Sequence, residues 1–229
     1  MTASPLAAVR LYLIASAPAA DRPPADWLDR VAAGVSGGVQ VVQLRLVGGT
    51  TAQRRTWLEA LRGRLGEGLP LIVNDDLQAA LAGPADGVHL GREDAAALAP
   101  ADDPAGADPI AAGLARAREL LGPERALGSS TREPHEVRRA LAAGADHLGF
   151  GAMAPTRTKA GTVPADPAVL QALLAADPGL VLFPIGGLDR TTLPPLRALG
   201  VTRAAVGAAV LEASDPAAAA AELRALLDA

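Results

Sequence analysis

The residues able to do chemistry in this 229-residue chain sit in short polar runs, each directly after an apolar run. Gln43-Leu44-Arg45 is one such run, and Asn74-Asp75-Asp76 is the next. Residues 89–94 (His-Leu-Gly-Arg-Glu-Asp) follow, then Ser129-Ser130-Thr131, Pro155-Thr156-Arg157-Thr158-Lys159, Gly186-Gly187 and Gly207. Together these types handle anions with a divalent cation. Asp75 and Asp94 could hold one Mg²⁺ that keeps most of its waters and binds phosphate oxygens. Arg45 offers a planar bidentate fork, and Lys159 a compact positive charge. Gly186, Gly187 and Gly207 let backbone amides approach a phosphate closely, and Thr156 and Thr158 add hydroxyl donors.

Each residue also has a plainer role open to it. Asp75 could cap a helix starting at Asp76, and Asp94 could cap the helix after its own strand. Gly186-Gly187 could be a simple turn. Ser130 reads as a cap or strand-end hydroxyl rather than a nucleophile, because no His–acid pair is evident to activate it. His135 and His147 read as surface or packing residues. His89, inside a strand near its end, reads as structural rather than catalytic. Lys159 is the only lysine and Asn74 the only asparagine in a chain of 21 basic residues, which draws attention to both.

Elements of regular length must position these residues. Strands are expected at 10–15, 39–45, 70–74, 87–90, 126–129, 147–150, 180–185 and 203–206. Helices are expected at 25–35, 51–65, 76–82, 110–121, 134–143, 167–176, 192–199 and 216–227, many opening on Ser, Thr, Asp or Pro. Eight strand–helix units fit a compact (β/α)8 TIM barrel, one α/β domain over residues 1–229. A flavodoxin-like sheet would leave two or three elements over. Barrel enzymes carry their active-site groups at the carboxyl ends of the strands, where the polar runs fall. Residues 95–112, with three prolines and three aspartates, read as a surface insertion, with a mobile lid as the alternative.

Composition excludes several classes. A net charge of −4 argues against a nucleic-acid partner held by bulk charge. The absence of cysteine removes disulfides, thiol nucleophiles and Cys-ligated metals. The three histidines show no metal-ligand spacing. No apolar run approaches the ~20 residues of a membrane span. Residues 11–20 faintly resemble a signal peptide, but Pro18 interrupts them, so they read as the first strand of a cytoplasmic protein. The sequence sets no oligomeric state.

In this order, the strings resemble the thiamine-phosphate synthase family, barrel enzymes that join the two halves of thiamine. The likeness runs through 11–14, 43–45, 72–76, 85–94, 128–130, 144–159, 185–188 and Asp215-Pro216. Asn74-Asp75-Asp76 followed by the ADGVHLG run and Asp94 is fairly specific, and the PTRTK run at 155–159 is the most specific string. The resemblance implies coupling of hydroxymethylpyrimidine diphosphate to a thiazole phosphate, with release of diphosphate. It implies that Asp75 and Asp94 hold Mg²⁺, and that Arg45, Asn74 and Lys159 hold the diphosphate. It places Gln43 against the pyrimidine, Ser130 beside pyrimidine and diphosphate, and Thr156, Thr158, Gly187 and Gly207 on the thiazole phosphate. Arg45, Ser130 and Lys159 are the residues it marks as catalytic.

The chain departs from the family pattern at several positions. Val47 stands where a lysine is usual, which removes one positive contact unless Arg54 or Arg55 reaches back. Ala152 and Ala154 replace a proline and an aromatic residue, Arg92 a glutamine, and Arg132 a histidine. A thiazole tautomerase of the same barrel type would call for that histidine at 132 and would not need the metal acids. A degenerate, non-catalytic thiazole-phosphate binder is the other alternative.

Overall fold

The computed structural model describes residues 4–100, 108–155 and 163–229. Strands and helices alternate along them. The order is β1 (Leu11–Pro18), α1 (Ala25–Ser36), β2 (Val41–Val47), α2 (Thr51–Leu65), β3 (Leu71–Asn74), α3 (Leu77–Ala82) and β4 (Gly87–Leu90). It continues with α4 (Arg92–Ala97), α5 (Pro109–Leu121), β5 (Ala126–Thr131), α6 (Pro134–Ala142), β6 (His147–Gly151) and α7 (Pro167–Ala176). It ends with β7 (Leu182–Ile185), α8 (Leu193–Arg197), β8 (Ala204–Val206), α9 (Ala208–Leu211) and α10 (Pro216–Asp228). The eight strands form one closed barrel in sequence order, with β1 parallel to β8 across the seam. This is the expected (β/α)8 barrel.

Strand register decides what faces the interior, because side chains alternate between the two faces of a strand. Ile14 pairs with Gln43 and Gln43 with Ile72. Asn74 pairs with His89, His89 with Gly128, and Gly128 with His147. Ser130 pairs with Gly149, Gly149 with Phe183, and Ile185 with Ala205. This set shares its face with the small apolar cluster of Leu6, Val9, Tyr12, Val41, Ile72, Ala126, Val181, Phe183 and Ala205. The alternate set, including Leu13, Val42, Leu44, Val73, Val88, Leu90, Leu127 and Leu148, packs with the helices in the larger core. The inner face therefore mixes large rings with glycines, and polar groups gather on it toward the carboxyl ends of the strands.

One fastening recurs at the amino-terminal end. Arg62 of α2 donates to Gly66 O (2.8 Å), Leu69 O (2.9 Å) and Asp86 (2.6 Å), and Asp86 accepts from the Leu71 amide (2.7 Å). Arg118 of α5 repeats it with Gly122 O (2.7 Å), Arg125 O (2.8 Å) and Asp146 (2.7 Å), and Asp146 accepts from the Leu127 amide (3.0 Å). Each clamp ties a helix end, its loop and two strands through charge-assisted hydrogen bonds.

Of the stretch expected as an insertion, 95–97 end α4 and 109–112 begin α5. Ala95 is buried, and a Cβ on Gly113 would lie 1.7 Å from Ala95 O, so these two helices meet backbone to backbone.

Candidate active site

At the carboxyl ends of β3 and β4 the two expected metal acids come together. Asp76, not Asp75, caps α3, accepting from the Ala79 amide at 2.8 Å, so the expected helix start at 76 moves to 77. That corrects the capping alternative for Asp75. Asp75 adopts a positive φ of 62°, rare for a non-glycine residue and found where surrounding contacts enforce it. Its carboxylate accepts from the Gly91 amide (2.8 Å) and from the Asn74 side-chain amide. Gly91 is the N-cap of α4, so Asp94 lies within the first turn of that helix and does not cap it. A Cβ on Gly91 would meet Asp94 Oδ2 at 2.8 Å and Asp75 Oδ1 at 3.3 Å, so both carboxylates close over that glycine. Burial first, then the charge and hydrogen bonding of Asp75, push the Asp94 carboxyl above the ordinary carboxylate range. Two acids pressed together in this way fit a divalent cation whose remaining ligands are water or substrate oxygens. Among the described residues no group of three or more His, Asp or Glu could hold a metal by itself.

Arg45, half-buried near the end of β2, has no hydrogen-bond or ion-pair partner among the described residues. Val47, two positions on, is 53% exposed. Arg54 does reach back toward this end. It donates to Leu46 O (3.3 Å) and Gly49 O, pairs with Asp76 at 3.3 Å, and its charge draws the Asp94 carboxyl down. Arg54 thus fastens the β2–α2 loop and brings positive charge beside the acids.

Deeper in the barrel, Gln43 is buried and donates to the Tyr12 hydroxyl (2.8 Å), whose ionisation burial pushes far up. Ser130 Oγ lies 3.1 Å from His89 Nε2. His147 sits behind His89 with ring centroids 5.5 Å apart, and its Nδ1 lies 3.0 Å from Asp146 Oδ1. Burial, then the charge of His147, lower His89 to about 3, so it is neutral at neutral pH. A histidine does lie beside Ser130, but the acid Asp146 pairs with His147 and not with His89, so among the described residues no His–acid pair stands at Ser130. The two histidines come from β4 and β6, and only the strand register brings them to β5. His147 is buried packing, as expected, but it also holds a polar contact.

Gly186 (φ 89°) and Gly187 (φ 68°) occupy the left-handed region after β7. A Cβ on Gly187 would lie 2.7 Å from Ala154 Cβ and 2.8 Å from Pro155 O, so the small residues at 154 and 187 let two loops close together. Gly207 starts α9, with Ile14 O 3.3 Å from its ideal Cβ position. Thr156, Thr158 and Lys159 lie outside the described residues. Arg132 donates to Val163 O and to Pro164 O (3.2 Å), and Arg92 pairs with Glu136 at 2.8 Å. Tyr12, His147 and Asp146 were not singled out as site residues by sequence reasoning. Tyr12 and His147 lie two residues before the inward-facing Ile14 and Gly149, a placement that only the strand register reveals, and Asp146 directly precedes β6.

The chain is thus a closed (β/α)8 barrel with an acid pair, arginines and glycine turns at the carboxyl-terminal mouth, where barrel enzymes carry their active-site groups. Residues 11–210 match the family described as thiamine monophosphate synthase. The chain belongs to that family. It is 39% identical over 217 residues to a thiamine-phosphate synthase of Gloeobacter violaceus, covering 92% of this chain and 55% of that protein. A thiamine-phosphate synthase of Thiobacillus denitrificans is 38% identical over 203 residues, with 87% of each chain covered. The chain thus spans about half the length of some curated relatives and most of others. The solved thiamine phosphate pyrophosphorylase of Pyrococcus furiosus superposes with a TM-score of 0.72 at 26% identity, over 96% of both chains.

Proposed function

We propose that this chain is a thiamine-phosphate synthase. It would couple 4-amino-2-methyl-5-hydroxymethylpyrimidine diphosphate to 4-methyl-5-(2-hydroxyethyl)thiazole phosphate, or its carboxylated form, giving thiamine phosphate and diphosphate. The observation that carries the reading is the pair of carboxylates, Asp75 and Asp94, drawn together over Gly91 at the mouth. Mg²⁺ held there would offset the charge that builds on the departing diphosphate.

The chain's own residues do the rest. Asn74 and the Gly91 amide fix the Asp75 carboxylate in place. Arg45, without a partner among the described residues, and Lys159 would supply positive charge to the leaving group. A 4-aminopyrimidine donates electron density to its methylene carbon, so diphosphate can depart ahead of attack. The thiazole nitrogen carries no proton, and no general base is needed for its attack. Gln43 and Ser130 would orient the pyrimidine, and Thr156, Thr158, Gly187 and Gly207 the thiazole phosphate.

The test is a direct assay of purified protein with Mg²⁺ and both substrates, detecting thiamine phosphate and diphosphate. Product is expected, and it should disappear with EDTA and in Asp75→Ala. Lys159→Ala should cost roughly 10²-fold or more in turnover, the scale of one preorganised charge contact. Binding of thiazole phosphate without product would show a degenerate binder, and isomerisation of a thiazole alone would show a tautomerase.

A further inference from the structure

We propose that Glu136 and Arg92 are positioning residues that hold the start of α4, and with it the Asp75–Asp94 pair, in place for a divalent cation. That cation is the Mg²⁺ of the synthase reading, on which the proposal rests.

Helix α4 carries Asp94 in its first turn, yet little of its own sequence fixes where it starts. It is six residues long, and its N-cap Gly91 has no side chain to cap it. A helix this short leaves most of its end groups without intrahelical partners, so contacts from outside set its place. One is packing, where Ala95 meets Gly113 of α5 backbone to backbone. Another is the Gly91 amide, which donates to Asp75 Oδ1 at 2.8 Å. A third is Arg92, whose guanidinium donates to Glu136 Oε1 at 2.8 Å. Gly91, Arg92 and Asp94 lie on one short stretch of backbone. A shift of Arg92 therefore moves both the amide that orients Asp75 and the carboxylate of Asp94.

Glu136 is the fixed end of this strut. It is buried in the first turn of α6. Its other oxygen accepts from the Arg132 amide (2.6 Å) and the Glu133 amide (3.1 Å), so the carboxylate cannot swing. Burial would raise this carboxyl, but the hydrogen bonds from Arg92 and the two amides outweigh it and hold it below the ordinary range. The Arg92 side chain is 55% exposed, where an ion pair adds little stability. What the pair does supply is order in the acids before the cation arrives, which lowers the cost of binding it.

Charge and position predict opposite effects of removing Arg92. Its positive charge sits in the same helical turn as Asp94, so electrostatics alone makes Mg²⁺ bind more tightly once it is gone. Loss of positioning makes Mg²⁺ bind more weakly.

The test is calorimetric titration of Mg²⁺ into the intact protein at neutral pH, with thermal melts alongside. Arg92→Met keeps the stem and removes the strut. It should raise the Kd for Mg²⁺ about three- to fivefold, the scale of one partly exposed ion pair, with the metal-free Tm near that of wild type. Arg92→Lys, which restores a charge for Glu136, should recover most of the loss. Glu136→Gln still accepts from both amides but no longer holds the guanidinium. It should weaken binding similarly, and the double variant should be no weaker than either single one. Tighter or unchanged Mg²⁺ binding in folded Arg92→Met overturns the proposal, as does an additive loss in the double variant. If wild type binds no Mg²⁺, the metal reading fails and takes the proposal with it. If the variants follow the expected pattern but wild type makes no thiamine phosphate, only the synthase reading fails.

Discussion

Residue types alone marked Asp75 and Asp94 as partners, because two acids after adjacent strands of a barrel meet at one mouth. Which of Asp75 and Asp76 would cap the helix was not legible, since both are good caps. The positive φ of Asp75 settles it by turning that carboxylate toward Gly91. Removing one acid should separate local electrostatics from chemistry. Asp94→Asn relieves the like-charge contact, so the metal-free protein is expected to melt a few degrees higher than wild type at neutral pH. Added Mg²⁺ should raise the Tm of wild type and leave the variant unmoved, as thermal melts with and without Mg²⁺ would read. The rim position Val47 permits the opposite experiment. It follows Arg45 on the same strand face and is 53% exposed, so a longer side chain costs little there. Val47→Lys is expected to lower the KM for the pyrimidine diphosphate severalfold, the range of one solvent-facing charge contact, with unchanged stability. An unaltered KM would show that Arg54 already supplies the charge.

At the scale of elements, the apolar runs located all eight strands, but their carboxyl ends ran past the expected limits in β1, β2, β5 and β6. Ser16, Val47 and Ser130 fall in those extensions, and the mouth residues that interrupt an apolar run are the ones a barrel strand presents at its end. The short helices α4 and α9 were missed for a related reason, since each begins directly on a mouth segment with no loop to announce it. The two Arg–Asp clamps were invisible to periodicity because their partners lie 24 and 28 positions apart. Their contribution is open to a pH experiment. Burial raises the Asp146 carboxyl, but His147, the Leu127 amide and Arg118 outweigh it and hold it below the ordinary range. A carboxylate depressed on folding stabilises fully above its unfolded value near ~3.9, and that stabilisation is lost as pH falls through the folded value. Asp146→Asn should therefore cost about 2 kcal/mol at pH 7, with the gap to wild type closing in acid, as urea unfolding across pH would show.

Across the whole molecule, the proposed site and the packing of the amino-terminal segment occupy opposite ends of one barrel. The polar mouth is at the carboxyl ends of the strands, while Leu6 and Val9, from the segment before β1, join the inner apolar cluster with Tyr12, Val41 and Ala126. Leu6 is fully buried there. Its backbone neighbours reach Arg203, which donates to Ala7 O and to Val9 O at 2.5 Å and 2.8 Å and so holds the segment across the bottom of the barrel. Truncating a buried leucine removes transfer free energy and leaves a cavity, so Leu6→Ala should lower stability by about 2–4 kcal/mol. Tyr12 connects the two ends, because it belongs to the same cluster and its hydroxyl accepts from Gln43. If the inner layer packs as a rigid unit, the kcat of the folded Leu6→Ala protein at saturating substrates stays within twofold of wild type. A kcat that drops tenfold while the fold is intact would mean that the plug sets the height of Tyr12, and through it the orientation of Gln43. Tyr12→Phe in the same background then decides the route, since a loss transmitted by that hydroxyl cannot be added to once the hydroxyl is gone.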